Sequence, residues 1–112
     1  MKRVYPAILE HEDGVFLVQF ADMENCFTEG DTLYEALENA EDVLNLVLSG
    51  MEEDGDPIPT PSDIKDVKAP DGAIVTLVRA DTEAYAKMMA EERASGQSEA
   101  ETAASELAEK TA

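Results

Sequence analysis

The stretch Phe27–Ala40, FTEGDTLYEALENA, contains the change from an extended segment to a helix that decides the fold. Gly30 ends the extended part. Thr32 and Glu35 fit a capping box, in which the Thr32 hydroxyl accepts from the Glu35 N–H and the Glu35 carboxylate accepts from the Thr32 N–H. Apolar residues then recur at spacings of three and four, which predicts one amphipathic helix over Thr32–Met51. A helix of this kind needs a second layer to cover its apolar side.

That second layer is predicted from four extended runs on either side of the helix. The first two are joined by a tight turn at Gly14 and read as a hairpin. Pro6 favours either an edge position for the first strand or a place near its start. The second strand is apolar on both alternating sets except at Gln19, which predicts either a central strand covered on both faces or a face used for association. The predicted strands are Val4–Ile8, Val15–Phe20, Cys26–Thr28 and Ala73–Arg79.

The order β-β-β-α-β predicts an α+β fold, a small antiparallel sheet with one long helix on one face. The other face of the sheet stays open unless a copy of the chain or another protein covers it. We assign residues 1–85 to this domain. Residues 86–112 are predicted to be an acidic Ala/Glu-rich tail, with a short helix followed by a disordered segment or a marginal helix, because Leu107 is its only large apolar residue after Ala94.

Charge is the strongest compositional signal. The net charge is −18, and from Val4 to Ile64 there are 16 acidic residues and no Lys or Arg. Such a surface repels phosphate backbones and attracts cationic partners, so direct nucleic-acid binding by this part of the chain is disfavoured. The alternative interpretation is that the acidity only keeps the protein soluble.

No constellation of residues in the sequence predicts catalysis, a metal site or a cofactor. His11 is the only histidine and lies beside a turn, where a general base rarely finds a positioned partner. Cys26 is predicted to be a small, partly buried residue. The acidic run Glu52–Asp56 lacks the spacing of a calcium loop. These observations lead us to expect a protein that is not an enzyme. The sequence also contains no run of about 20 apolar residues that could span a membrane, and its start lacks a secretory pattern, so we expect a cytoplasmic location.

Several short motifs, in order and at matching spacings over Val4–Tyr85, closely resemble the HicB antitoxin family. They are a YPA-type first strand, a Gly turn, an F-x-D-x-x-x-C loop, a T-x-G-D-T-x-x-E-A helix start, and a Pro-rich exit after an acidic helix. The loop departs from the family pattern because it lacks the proline and glycine restraints, and it is therefore expected to be looser. The matching residues are Tyr5, Pro6, Ala7, Gly14, Phe20, Asp22, Cys26, Thr28, Gly30, Asp31, Thr32, Glu35, Ala36, Asp54, Gly55 and Pro57–Pro61.

The resemblance implies a partial RNase H-like domain without a nuclease site. It also implies that the chain neutralises a HicA toxin, a small basic mRNA-cleaving protein. Two alternatives remain: an orphan regulatory or scaffold protein without a cognate toxin, and a transcriptional autorepressor. The second would need Ala73–Lys110 to form a ribbon-helix-helix. DNA binding through this chain alone is disfavoured, because residues 81–112 are net acidic and the strand is already needed by the first domain.

The residues expected to meet a basic toxin are carboxylates near the matched motifs that helix capping does not explain. Exposed edge strands also favour self-pairing, so we expect a homodimer or a higher oligomer. The predicted partner-binding residues are Asp22, Glu24, Glu29, Glu38, Glu41 and Asp42.

Overall fold

The computed structural model describes the backbone of residues 1–103 and the side chains of residues 1–92. The chain divides into two compact units, Met1–Thr82 and a second unit from Glu83 onward. The first contains four strands, one long helix and one turn of 3-10 helix at Ile64–Asp66. The helices and strands are β1 (Lys2–Glu12), β2 (Val15–Phe20), β3 (Phe27–Gly30), α1 (Leu33–Asp54), β4 (Ile74–Asp81) and α2 (Thr82–Ala103).

The four strands form one antiparallel sheet in the order β3-β2-β1-β4. α1 packs on one face of it, which confirms the predicted α+β class. β2 is a central strand, as predicted, but α1 covers only one of its faces. The core side chains lie between α1 and this face. They include Tyr5, Ala7 and Leu9 of β1, Val18 and Phe20 of β2, and Ala36, Ala40, Leu44 and Leu48 of α1.

β1 lies inside the sheet, so the edge position that Pro6 favoured is wrong. The proline is tolerated because β2 pairs with β1 only as far as Ala7, opposite Phe20. Beyond that point the Pro6 carbonyl accepts from the Ala21 N–H at 3.1 Å. The proline nitrogen faces the same side of the strand as its carbonyl, where β2 has already ended. The missing N–H therefore costs no ladder hydrogen bond.

The hairpin turn between β1 and β2 has two residues, since Glu12 pairs with Val15. Asp13 has φ 52° and Gly14 has φ 79°, so both lie in the left-handed region. Two consecutive positive φ values define the mirror-image turn whose twist matches that of the flanking strands. The predicted tight turn at Gly14 is confirmed.

The junction between β3 and α1 is set by a close backbone contact. A Cβ atom built on Gly30 would lie 2.4 Å from the backbone nitrogen of Ala36 and 2.8 Å from its Cα. The Thr32 hydroxyl accepts from the Glu35 N–H at 3.0 Å, as predicted. The return bond differs, because the Glu35 carboxylate accepts from the N–H of Asp31 at 2.7 Å and not from that of Thr32.

α1 runs three residues past the predicted end at Met51. The prediction ended there because Glu52–Asp54 do not continue the apolar stripe of the helix. Gly55 ends the helix with φ 72°, and its N–H bonds to the carbonyl of Glu52. The Asp56 N–H reaches back to the Met51 carbonyl at 2.9 Å. A left-handed glycine with these return bonds is the usual helix stop, so Gly55 was the available signal.

The second unit is described by its own helix. α2 continues to Ala103, well past the short helix that the sequence predicted, and has no turn between Ser95 and Ser98. β4, which a ribbon-helix-helix would use, is hydrogen-bonded to β1. The ribbon-helix-helix arrangement is therefore absent from the described residues. The rest of the predicted tail, residues 104–112, lies outside the described residues, and the 1–85 domain assignment stays a prediction.

Gly30 and Gly50 give a matched test of the junction. Gly30→Ala should lower the free energy of unfolding by about 1–3 kcal/mol, because the new methyl group collides with backbone atoms that cannot move independently. Gly50→Ala, inside α1 with nothing within 4 Å of the new Cβ, should raise it by up to about 1 kcal/mol. Urea unfolding of both variants measures the difference, and equal effects would contradict the close-contact argument.

Candidate functional site

The loop between β2 and β3 is restrained by the side chain of the exposed residue Gln19. The Gln19 amide nitrogen lies 3.0–3.4 Å from the backbone carbonyl oxygens of Phe20, Met23, Glu24 and Cys26. Met23 and Cys26 are buried in the core. These contacts are restraints that act in place of the missing proline and glycine, and the expectation of a looser loop stays a prediction.

Cys26 belongs to the core and not to a reactive site. Its side chain is fully buried, and burial raises the pKa of the thiol from 9.0 to about 11. The thiol therefore stays protonated at neutral pH, where a nucleophilic cysteine would need to be a thiolate. Its carbonyl accepts from the Phe20 N–H at 3.0 Å, which closes the loop.

The proline-rich segment after α1 is fastened to the sheet by two residues of the family motif. The buried Tyr5 hydroxyl donates to the Pro59 carbonyl at 2.6 Å. The Asp22 carboxylate accepts from the Ser62 N–H at 2.9 Å and from the Ser62 hydroxyl. Ile58 packs against the core. Asp22, which was predicted to contact a partner, therefore links the β2–β3 loop to the proline-rich segment, 40 residues further along the chain.

The three predicted carboxylates of α1 do not share one environment. Asn39 donates to the Glu29 carbonyl at 2.9 Å, so one flank of α1 lies beside β3. Glu41 lies 3.7 Å from Arg79 of β4, on the opposite flank. Helical spacing of 100° per residue then places Glu38 and Asp42 between the flanks, facing away from the sheet. Both are exposed. We call this pair the helix crest.

The remaining predicted carboxylates, Glu24 and Glu29, are exposed in the β2–β3 loop and on β3. Glu29 pairs in register with Leu17. The residues on either side of Leu17 point to the other face, where Val18 is part of the core and Phe16 packs against it. Because side chains alternate between faces, Glu29 points to the face that α1 does not cover. The six predicted carboxylates are therefore spread over several sides of the domain and do not form one surface.

The face of the sheet opposite α1 carries a contiguous set of apolar side chains, none of which was among the predicted partner-binding residues. We call it the open sheet face. Its exposed members include Phe27 at 61%, Leu77 at 53% and Val4 at 48%. A groove of about 400 Å³ crosses it between β1 and β3. The signal in the sequence was the second apolar set of β2, which predicted an association surface. The groove is lined by Ile8, Glu10, Leu17, Val18, Gln19, Phe27, Thr28 and Glu29.

His11 lies in β1 and not at the turn, and its ring stacks on that of Phe16 with centroids 4.1 Å apart. In the part of the chain whose side chains are described, no three His, Cys, Asp or Glu residues come together as a metal ion would need. The helices described here include none with an apolar stretch long enough to cross a bilayer.

Asp22 and Glu24 allow the structural and exposed carboxylates of this loop to be compared. Asp22→Ala should lower the free energy of unfolding by about 1 kcal/mol or more, because it removes both hydrogen bonds to Ser62. Glu24→Ala, at an exposed position of the same loop, should change it by less than about 0.5 kcal/mol. Thermal or urea unfolding measures both, and an Asp22→Ala effect no larger than that of Glu24→Ala would show that the anchor contributes nothing.

Comparison with known proteins agrees with this architecture. Antitoxin HicB 2 of Photorhabdus laumondii subsp. laumondii is 41% identical over 58 residues, which cover 52% of this chain and 42% of that protein. The chain spans 39% to 61% of the length of the curated relatives it matches.

Solved structures show the same fold. A chain of a toxin–antitoxin complex from Streptococcus pneumoniae superposes with a TM-score of 0.67 at 24% identity, over 76% of this chain and 73% of that one. A chain of the HicA3 and HicB3 toxin–antitoxin complex superposes with a TM-score of 0.56 at 25% identity, over 70% and 99%. The family model described as "HicB_like antitoxin of bacterial toxin-antitoxin system" matches residues 5–94. The chain belongs to this HicB-like antitoxin family.

Proposed function

We propose that this chain is an antitoxin that binds and neutralises a small, basic, mRNA-cleaving toxin of the HicA type in the cytoplasm. Membership of the HicB-like family supports the pairing, as does the likeness to a chain of the HicA3 and HicB3 complex. The observation that carries the proposal is the run of 16 acidic residues without Lys or Arg from Val4 to Ile64. The segment from Val4 to Ile64 makes up most of the folded unit Met1–Thr82.

The acidic surface suits such a partner for an electrostatic reason. A protein that cleaves RNA needs Lys and Arg to neutralise the phosphates of its substrate. Carboxylates on the antitoxin carry negative charge, as the phosphates of RNA do, and so compete with RNA for the Lys and Arg side chains of the toxin. Glu41 and Glu52 form ion pairs within the chain, whereas the exposed carboxylates of Glu24, Glu29, Glu38 and Asp42 remain available to a partner.

The predicted contact residues contribute unequally in this proposal. Glu24, Glu29, Glu38 and Asp42 are exposed and have no side-chain partner among the described residues. The charges of Asp22 and Glu41 are partly satisfied within the chain. Isolated exposed ion pairs are worth about 0–1 kcal/mol, so no single carboxylate should decide binding. Their joint field acts mainly on the rate of association.

We also propose that the chain forms a homodimer or a higher oligomer, and the free edge at β4 supports it. The Pro6 carbonyl bonds toward β2, so the Pro6–Leu77 pair exchanges no hydrogen bonds and the backbone groups of Leu77 face outward. Asn45 caps the Asp81 N–H at the end of this edge. At the other edge, Asn39 caps β3. Each edge carries one such cap, but β4 has eight residues and β3 has four, so the β4 edge is the longer template for pairing two copies.

Neutralising charge on α1 tests the electrostatic part of the proposal. The triple variant E38Q/E41Q/D42N should associate with a HicA-type toxin several-fold more slowly at low salt, and the difference should shrink as salt rises. The control E53Q/D54N/D56N removes the same number of charges from the end of α1 and the following loop. Stopped-flow or biosensor kinetics measure the rates. A triple variant that associates as fast as wild type would show that these carboxylates are only solvated.

The absence of any toxin partner would instead favour the orphan regulatory or scaffold alternative, because fold alone does not fix function. A short neighbouring reading frame that encodes a basic protein would support the antitoxin assignment. Binding of that protein to wild type is the direct test.

Light scattering tests the assembly. At tens of micromolar we expect a species of at least twice the 12.1 kDa chain mass. Replacing Leu77 with Pro should remove it, because proline cannot donate a hydrogen bond from the edge. A uniform 12.1 kDa species in wild type would contradict the proposed oligomer.

A further inference from the structure

We propose that the basic partner docks on the open sheet face. A Lys or Arg side chain of that partner would lie in the groove between Glu10 and Glu29, and the partner's apolar side chains would cover Leu17 and Phe27. This inference rests on the proposed function, because it takes the occupant to be the basic toxin. It adds the contact surface, which the predicted carboxylates alone do not define.

The register of the strands gives the groove its shape. Glu10, Leu17 and Glu29 form one cross-strand row, since Leu17 pairs with both carboxylate residues. Two strand spacings separate the Cα atoms of Glu10 and Glu29 by about 10 Å. The next row is formed by Ile8, Gln19 and Phe27. The groove therefore has two carboxylates at one end, Leu17 between them and an aromatic ring beside them.

The two carboxylates have no cation of their own. Neither has a hydrogen-bond or ion-pair partner among the residues with described side chains. On the same face of β1 the cation is Lys2, eight residues away and roughly 26 Å along the strand. A Lys or Arg from another protein would complete this charge arrangement, and its aliphatic stem would lie on Leu17. A guanidinium or ammonium group could also contact the face of the Phe27 ring.

The apolar part of the face supplies what the carboxylates cannot. Phe27 is 61% exposed, and the apolar surface continues across β1 to β4, where Ile8 pairs with Val75 and Leu77 is 53% exposed. A contiguous exposed apolar patch rimmed by charges is typical of a protein interaction surface. Phe27 would become buried when a partner binds, and aromatic side chains, Phe among them, are enriched at protein interfaces.

A second copy of the chain is a poorer occupant of the groove. A two-fold contact through this face would bring Glu10 and Glu29 of both copies together, four carboxylates against an apolar surface. Like charges that lose water without a partner destabilise an interface. The charge of the groove therefore selects a cationic partner, and self-pairing is left to the β4 edge.

The groove and the helix crest lie on opposite sides of the domain, so their effects should separate in the kinetics. Charges outside the contact change mainly the association rate, whereas groups buried in it change mainly the dissociation rate. We therefore expect the crest to speed the encounter and the groove to set the lifetime of the complex.

The test compares dissociation of a HicA-type toxin from the full chain and its variants. E10Q/E29Q and Phe27→Ala should each speed dissociation by about tenfold or more while changing association much less. E53Q/D56N is the charge-matched control for the first, and Leu46→Ala is the control for the second, since Leu46 is 58% exposed on α1. Urea unfolding checks that each variant is folded. Groove variants that dissociate no faster than their controls would overturn the proposal.

A second measurement decides the case in which wild type binds no toxin, a result that would remove the proposed function. Methyl NMR of the full chain is titrated with a peptide of alternating Arg and Leu, and with a peptide of alternating Arg and Ser. Shifts of the Ile8, Leu17 and Val75 methyl groups that are specific to the first peptide would uphold the groove as a site for cationic apolar segments. Shifts on α1 alone, or equal shifts with both peptides, would overturn it.

Discussion

The contact between Gly30 and the first turn of α1 is the constraint on which the rest of this domain depends. The glycine does not serve a positive φ angle. It removes a Cβ that would overlap the Ala36 backbone. This contact brings β3 against the helix start, and Ala36 and Ala40 then let the first turns of α1 approach the sheet, while Leu44 and Leu48 fill the wider space beyond. Thr32 and Glu35 fix the point at which the helix begins.

The residues that carry the family resemblance mostly build this scaffold. Tyr5 and Asp22 fasten the proline-rich segment, Gly14 closes the hairpin, Phe20 and Cys26 fill the core, and Gly30, Thr32, Glu35 and Ala36 form the junction. Such a motif identifies the fold and says little about the surface that meets a partner. Residues that face a partner are better sought among side chains that the scaffold does not use, such as the carboxylates of Glu10 and Glu29, which form no ion pair with the residues whose side chains are described, and the 61% exposed Phe27.

The sequence was most informative where local chemistry decides the structure. The hairpin turn, β2 and the helix start follow from residues within a few positions of one another, and they were predicted. The position of Pro6 inside the sheet was not, because it depends on where β2 stops beside it. The restraint of the β2–β3 loop by Gln19 and the pairing of Glu41 with Arg79 also require tertiary contacts that no local pattern contains. For the same reason the six predicted carboxylates proved to be spread over several sides.

Net charge and contact surface therefore have different roles in the proposed complex. A charge of −18 raises the rate at which a basic protein arrives, but water and salt screen it, and it does not hold a complex together. Lifetime requires apolar area that excludes water around a few paired charges. The open sheet face is the described surface that combines exposed apolar side chains with unpaired carboxylates in one groove. In the proposed complex, the charge of the whole surface would speed the encounter with a basic partner, and the open sheet face would hold that partner in place.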